Sequence, residues 1–126
     1  MNQQLKTIIS DYYSALAASY ATGILQSEKL HLAENVKFKV PGEIFEGEND
    51  VIRMISFTVP VFSRMEIHRQ YFDEDSCCAI LTHYTKFPCV PIPNTQFIQV
   101  KEGQIIEISM LHEATAWNKF LMLRQY

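Results

Sequence analysis

The spacing of apolar residues changes once along this chain, near residue 65, and that change decides the fold class. Between residues 3 and 21, apolar side chains recur every three or four positions, as on the buried face of an amphipathic helix: Leu5, Ile8, Ile9, Tyr12, Tyr13, Leu16, Ala17 and Tyr20. From Glu66 onward, apolar and polar residues alternate with a period of two, which is typical of half-buried strands. Helices followed by antiparallel strands predict an α+β fold.

Three further elements are predicted before this change. A short second helix is expected over residues 24–33, and "NVKFKVPG" reads as a half-buried strand that Pro-Gly ends. The stretch "GEND" is expected to open a third helix, with Asn49 or Asp50 as its N-cap. That helix runs to about Val59 and either ends there or continues, kinked, past Pro60.

Four strands are predicted after the change, in "MEIHRQYF", "CCAILTHYTKF", "TQFIQV" and "QIIEISMLHE". The segment "PCVPIPN" contains three prolines and therefore belongs to an edge strand or a loop, because proline cannot donate a hydrogen bond to a sheet. The C-terminal "ATAWNKFLMLRQY" fits either a strand extension or a short helix.

The register of the last hairpin determines which residues share a face. The preferred interpretation is a three-residue turn with Gly103 in the left-handed conformation, which places Ile98 opposite Ile106. The even-numbered residues of both strands then form one apolar face, whose polar members are Gln96 and His112. A two-residue turn is less attractive, since it would place a glutamine among isoleucines.

Composition excludes several classes of function. The chain of 126 residues carries a net charge of −3, so it lacks the basic surface that nucleic acid requires. No apolar run approaches the ~20 residues of a membrane span, and the N-terminus does not resemble a signal peptide. A single domain over residues 1–126, located in the cytoplasm, is expected. The three cysteines have neither disulfide nor zinc-site spacing, which favours buried free thiols and no metal.

Four stretches in order resemble the nuclear-transport-factor-two-like superfamily, which includes SnoaL-like polyketide cyclases and ketosteroid isomerases. They are "YYSALAASY", "LAENVKFKVPG", "FEGENDVIRMI" and "VKEGQIIEISMLHE", and together they span almost the whole chain. The resemblance implies a cone, in which a curled antiparallel sheet wraps a long N-terminal helix and leaves an apolar cavity (a cystatin-like α+β barrel). It also implies a homodimer through the outer sheet face, where Phe97, Ile105 and Leu111 are expected.

The resemblance suggests roles for three residues. Tyr12 matches the tyrosine that, in ketosteroid isomerases, donates a hydrogen bond to a developing oxyanion, although a core tyrosine is the alternative. Gln96 falls near the position of that family's second oxyanion donor, where Thr95 competes by one residue of alignment and a solvent-facing strand residue is the alternative. Val40 stands where those isomerases carry their catalytic aspartate. Because valine cannot move a proton, the isomerase mechanism does not carry over.

The residues best suited to acid/base chemistry lie at the end of the last predicted strand. Glu113 matches a terminal aspartate that can act as acid or base in polyketide cyclases, and His112 continues the apolar face. An imidazole exchanges protons readily near neutral pH, as its unperturbed pKa is about 6.5. The alternatives are a structural histidine at the cavity rim, or a bulge that turns Glu113 inward instead. The expected ligand-contacting residues are Gln96, Phe38, Val40, Ile108 and Met110.

Two other histidines lie on the neighbouring predicted strands. His68 alternates with Glu66 and Gln70, which suggests the solvent face, and His83 shares parity with Leu81, although either face of that strand could be inside. Scytalone dehydratase, a distant member of the superfamily, holds a water with two pocket histidines. The Asp-Arg-Asp trio of limonene epoxide hydrolases is absent.

Two functions are therefore compatible with the sequence. One is cofactor-free acid/base catalysis of an isomerase, cyclase or dehydratase type on a small apolar carbonyl compound, with His112 or Glu113 as the base. The other is a non-catalytic module of the same fold that binds a small ligand or a protein. The missing carboxylate at Val40 favours binding or a relocated base.

Overall fold

The computed structural model describes residues 3–112, 115–116, 118–119 and 122. Their main elements are α1 Gln3–Thr22, β1 Leu32–Val40, β2 Glu43–Glu46, α2 Glu48–Thr58, β3 Phe62–Phe72, β4 Ser76–Thr85, β5 Pro91–Lys101 and β6 Gln104–His112. The described residues after His112 are helical, which favours the short-helix interpretation of the C-terminal segment. None of the described helices is long and apolar enough to cross a membrane.

The six strands form one sheet in the order β2-β1-β6-β5-β4-β3. Only the β1–β6 pairing is parallel, and the other neighbours run antiparallel. The register shifts within the β1–β6, β3–β4 and β5–β6 pairings, and such irregularities bend strands and increase their twist. The predicted α+β class is confirmed.

The long helix α1 supplies one side of the core. Its residues Leu5, Ile9 and Tyr12 are almost fully buried, in one cluster with side chains from the inner face of the sheet such as Leu81 and Ile98. The three-and-four spacing read from the sequence is therefore the buried stripe of the helix. Tyr12 therefore lies between the helix and the sheet.

The predicted helix over residues 24–33 is wrong. Gly23 ends α1 with a positive φ of 78° and donates its N–H to the Ser19 carbonyl at 2.8 Å. The chain then turns, and β1 begins at Leu32, opposite Ile105 of β6. The Ile105 N–H donates to the His31 carbonyl at 2.7 Å, so a distant strand, not local periodicity, decides the conformation here.

The predicted N-cap of the third helix is also wrong. Helix α2 begins at Glu48, two or three positions earlier than those N-caps imply, and its N-cap is Gly47, which has a φ of 91° and no side-chain capping bond. A positive φ is readily adopted by glycine but is costly for asparagine or aspartate. Asn49 and Asp50 lie inside the first turn instead, where an acidic residue favours the helix dipole.

The β5–β6 hairpin has a two-residue turn, so the predicted three-residue turn is wrong. Glu102 and Gly103 both have positive φ, 53° and 78°, as a type I′ turn requires. Val100 then lies opposite Ile105, but a bulge at Ile106 shifts the register before the strands continue.

That bulge preserves the face predicted from the sequence. Beyond it Ile98 lies opposite Ile108 and Gln96 opposite Met110, so the even-numbered residues again share the inner side. One member of the predicted dimer face changes sides as a result. Ile105 is fully buried in the core, whereas Phe97 and Leu111 are 46% and 68% exposed.

The proline-rich segment enters β5 where that strand has a neighbour on one side only. Pro91 and Pro93 pair with Tyr84 and Thr82 of β4. Pairing with β6, over the part of it that the structure describes, begins at Asn94. This part of β5 is therefore an edge, as expected, because neither proline has to donate a backbone hydrogen bond to a strand on its unpaired side.

The three cysteines are free thiols, as expected, but only one of them is buried. Cys77 lies in the core, Cys78 is half-buried and Cys89 is exposed. The expectation of burial is wrong for Cys89, which lies in the turn-rich segment between β4 and β5.

Candidate active site

A cavity of about 880 Å³ lies between the helices and the inner face of the sheet. Every strand and both helices contribute to its lining, which is mainly apolar: Leu16, Phe38, Phe45, Ile55, Phe62, Ile92 and Met110 are examples. Ligand pockets of this size class are typically apolar with a few placed polar groups. The polar groups therefore decide what chemistry the cavity can perform.

Most of the residues singled out from the sequence lie on this cavity. They are Tyr12, Phe38, Val40, Gln96, Met110 and His112. Ile108 is fully buried in the core and is not among the lining residues that the structure describes. Glu113 lies outside the described residues. His112 is half-buried at the end of β6, on the cavity side.

A second imidazole lies in the same cavity. His83 of β4 is only 4% exposed and contacts two aromatic rings, Phe62 at 4.6 Å and Tyr20 at 6.0 Å between centroids. Its parity with Leu81 was the correct sequence signal, and that signal alone could not choose between the two faces. His68, by contrast, bonds to Thr82 and Glu66 at the surface, as its alternation suggested.

A continuous chain of hydrogen bonds connects the buried polar side chains to His83. The Tyr13 hydroxyl donates to Gln96 Oε1 at 2.8 Å, and Gln96 Nε2 donates to Asn94 Oδ1 at 3.2 Å. Asn94 Nδ2 in turn lies 2.8 Å from His83 Nδ1. Sequence reasoning missed Tyr13 and Asn94, since side-chain pairing across strands depends on a register that residue types alone do not give.

Asn94 stands between the two imidazoles of the cavity. It bonds to His83 on β4, and it is the direct cross-strand partner of His112 on β6. The neighbouring strands β4, β5 and β6 thus bring His83, Asn94 and His112 together. This polar cluster, defined by those three residues, lies on the lining of the mainly apolar cavity.

Burial keeps His83 uncharged. Loss of solvation, with a smaller contribution from the nearby His112, lowers the pKa of His83 to about 4. At neutral pH its ring is therefore a neutral imidazole that donates one hydrogen bond and accepts another. It is an unfavourable place for a permanent positive charge.

The cavity tyrosines are also held in their neutral, donating form. Burial is the main reason that the pKa of Tyr12 lies well above its ordinary value, and burial likewise raises the pKa of Tyr20 to about 12. A phenol that cannot ionise remains a hydrogen-bond donor. Tyr12 is 1% exposed and lines the cavity, so its hydroxyl is the kind of group that can stabilise a developing oxyanion.

Charged groups occur toward α2 and β2. Glu43, Asp50 and Arg53 border the cavity there, and Arg53 lies 3.6 Å from Asp50 in an exposed ion pair. Such a pair contributes little to stability. Within the described part of the chain, no three His, Cys, Asp or Glu side chains are grouped so as to hold a metal ion.

Solved structures share this architecture, although neither a protein-family model nor a curated protein matches the sequence. A protein of unknown function from Cytophaga hutchinsonii, named NTF2-like, superposes with a TM-score of 0.73 at 13% identity, over 90% of this chain and 94% of that one. The chain has the NTF2-like fold.

Two further solved structures carry provisional functional names. One from Kribbella flavida DSM 17836, named a ketosteroid isomerase, has a TM-score of 0.73 at 16% identity, over 88% of this chain and 78% of that one. Another from Jannaschia sp. CCS1, named a SnoaL-like polyketide cyclase, has a TM-score of 0.71 at 15% identity, covering 91% and 89%. Identities this low show a shared fold, and activity must be argued from the site.

Proposed function

We propose that this protein is a cofactor-free acid/base catalyst acting on a small, largely apolar carbonyl compound. The observation that carries the proposal is the polar cluster His83–Asn94–His112 on the lining of a mainly apolar cavity, with Tyr12 on the same lining. An isomerase, cyclase or dehydratase reaction needs these two things together: an apolar enclosure, and groups that move a proton next to a carbonyl.

In this proposal His112 transfers the proton. It is half-buried, so it can exchange protons with solvent between turnovers, while its position on the lining lets it face a bound molecule. Glu113, the neighbouring carboxylate, is a second candidate for the same role. His83 is less suited, because an imidazole with a pKa near 4 is a weak base at neutral pH.

Tyr12 stabilises the negative charge that develops on the carbonyl oxygen. A buried neutral phenol is worth more in this low-dielectric cavity than in water, because no solvent competes for the oxyanion. Val40 and Phe38, on the same lining, contact the apolar body of the ligand and exclude water. Gln96 and Met110 complete the wall, and the Tyr13 bond holds the Gln96 amide in place.

A non-catalytic binding module is the second candidate. The observation that favours it is Val40, an apolar residue on the cavity lining where the resemblance to ketosteroid isomerases expects a carboxylate. Binding alone would need the same apolar cavity but no proton transfer. The two functions therefore differ in what happens to a bound ketone, not in whether it binds.

The test is exchange of the α-hydrogens of a ketone for deuterium. A panel of apolar cyclic ketones is incubated with the protein in D2O at neutral pD, and uptake of deuterium is followed by mass spectrometry. We expect exchange above the buffer rate for at least one ketone, lost in His112→Gln and retained in His68→Gln, the matched surface variant. Binding of the ketones without any catalysed exchange would instead support the binding module.

A further inference from the structure

One backbone carbonyl fixes the direction of the polar chain that ends at His83. Asn94 Nδ2 lies 3.0 Å from the carbonyl oxygen of Ile92. Because a carbonyl can only accept, the amide nitrogen of Asn94, and not its oxygen, must occupy this position. Rotating the amide by half a turn would bring two acceptor oxygens together and break the bond.

The neighbouring amide agrees with this orientation. With its nitrogen fixed, Asn94 presents Oδ1 to Gln96, whose Nε2 donates to it at 3.2 Å. Gln96 Oε1 is thereby left to accept from the Tyr13 hydroxyl at 2.8 Å. Reversing Asn94 would require Gln96 to reverse as well, so the chain has one favourable direction.

That direction determines where His83 carries its proton. The second N–H of Asn94 Nδ2 points to His83 Nδ1 at 2.8 Å, and an amide nitrogen cannot accept. Nδ1 must therefore be the unprotonated acceptor, which leaves the hydrogen of the neutral ring on Nε2. Among the described residues, Asn94 supplies the hydrogen bond to this ring, so Nε2–H is available to a molecule in the cavity.

We propose that His83 is a fixed hydrogen-bond donor of the cavity, set in its Nε2–H tautomer by Asn94, and that it selects molecules that place an acceptor such as a carbonyl oxygen against Nε2. The choice of a carbonyl as ligand rests on the proposed function, whereas the tautomer does not. Asn94 is a positioning residue in this scheme, because it acts through His83.

The surroundings of His83 keep its ring neutral, and so keep it a hydrogen-bond donor, at pH values near neutrality. Burial holds its pKa near 4, and the nearby His112 acts in the same direction. A neutral donor in an apolar cavity rejects a ligand that lacks a matching acceptor, since binding would leave the N–H unsatisfied. The site would thus discriminate a ketone from an alkene of the same shape.

Nitrogen-15 NMR of histidine-labelled protein at pH 7 tests the tautomer directly. Long-range proton–nitrogen correlations show which ring nitrogen carries hydrogen, and His83→Gln identifies the signals of this ring among the four histidines. We expect His83 as the Nε2–H tautomer. In Asn94→Asp, whose carboxylate can only accept, we expect the hydrogen on Nδ1, while His68 is unchanged as an internal control.

The same spectra test recognition when a ligand is added. The probes are 2-adamantanone and 2-methyleneadamantane, which have nearly the same shape and differ by an oxygen in place of CH2. We expect the ketone to shift the His83 Nε2–H signal and the alkene to leave it in place. The ketone should also bind about tenfold more weakly to His83→Phe, as one hydrogen bond is lost.

Finding the Nδ1–H tautomer in the wild-type protein would overturn the proposal. This measurement does not depend on whether any variant folds. An Asn94→Asp protein with an unchanged His83 tautomer would also overturn it. An Nε2–H signal that ignores the ketone, or responds equally to both probes, would remove the recognition role. Failure of the proposed function is distinct, since it gives no deuterium exchange while the tautomer and the ketone response persist.

Discussion

Acid should destabilise this protein through His83. The folded state holds the pKa of this imidazole near 4, against an ordinary value of 6.5. Below pH 6.5 the unfolded chain therefore binds a proton at His83 that the folded chain does not bind until the pH approaches 4. The contribution of the neutral ring to stability is fully present above pH 6.5 and falls as the pH is lowered from 6.5 to 4.

The size of the effect follows from the shift. A difference of one pKa unit corresponds to about 1.4 kcal/mol, so acidification from pH 7 to pH 5 should cost about 2 kcal/mol through this residue, and the loss reaches about 3 kcal/mol at pH 4. The ring is only 4% exposed, so solvent does little to screen this contribution.

Urea unfolding followed by far-UV circular dichroism at pH 7 and pH 5 measures the loss. The wild-type protein is compared with His83→Gln, whose amide oxygen can still accept from Asn94 but does not titrate. We expect the wild type to lose about 2 kcal/mol more than this variant over that interval, and the surface variant His68→Gln to behave as wild type. Equal losses in wild type and His83→Gln would refute the reasoning.

Three further outcomes are expected. Tyr12→Phe should fold normally but lower the rate of ketone α-exchange about 100-fold, because the oxyanion donor is removed; unchanged exchange by mass spectrometry would leave Tyr12 as a core residue. Phe97→Lys together with Leu111→Lys should convert a homodimer into a monomer in light scattering, whereas Ile24→Lys, an exposed change outside the sheet, should not; a monomeric wild type would contradict the predicted interface. Ile9→Ala should lower the free energy of unfolding by about 2–5 kcal/mol in urea titrations, and a loss below about 1 kcal/mol would contradict the tight packing of α1.

The sequence predicted the elements whose periodicity is local and regular. The buried stripe of α1 follows from apolar residues every three or four positions, and the inner face of the last two strands follows from alternation. That face survived a wrong turn, because the bulge at Ile106 restored the parity that the two-residue turn had reversed. The inner face was therefore predicted correctly, although the bulge that restores it was not predicted.

Other features depended on contacts between distant segments. The stretch before β1 has helical apolar spacing, yet parallel pairing with β6 begins at Leu32, and no local pattern announces it. Within the site, Tyr12 and His112 carried a sequence signal, whereas Asn94 sat in a proline-rich segment that suggested an edge. Its position between two imidazoles emerges only from the register of three strands.

The most direct test of the proposed site is a crystal structure of the protein with an apolar ketone bound. We expect the ketone in the cavity, with its oxygen about 2.7–3.2 Å from the Tyr12 hydroxyl and from His83 Nε2, and with His112 beside the carbon next to the carbonyl. A ketone that binds in the cavity with its oxygen turned toward Arg53, or that binds only outside the cavity, would contradict it.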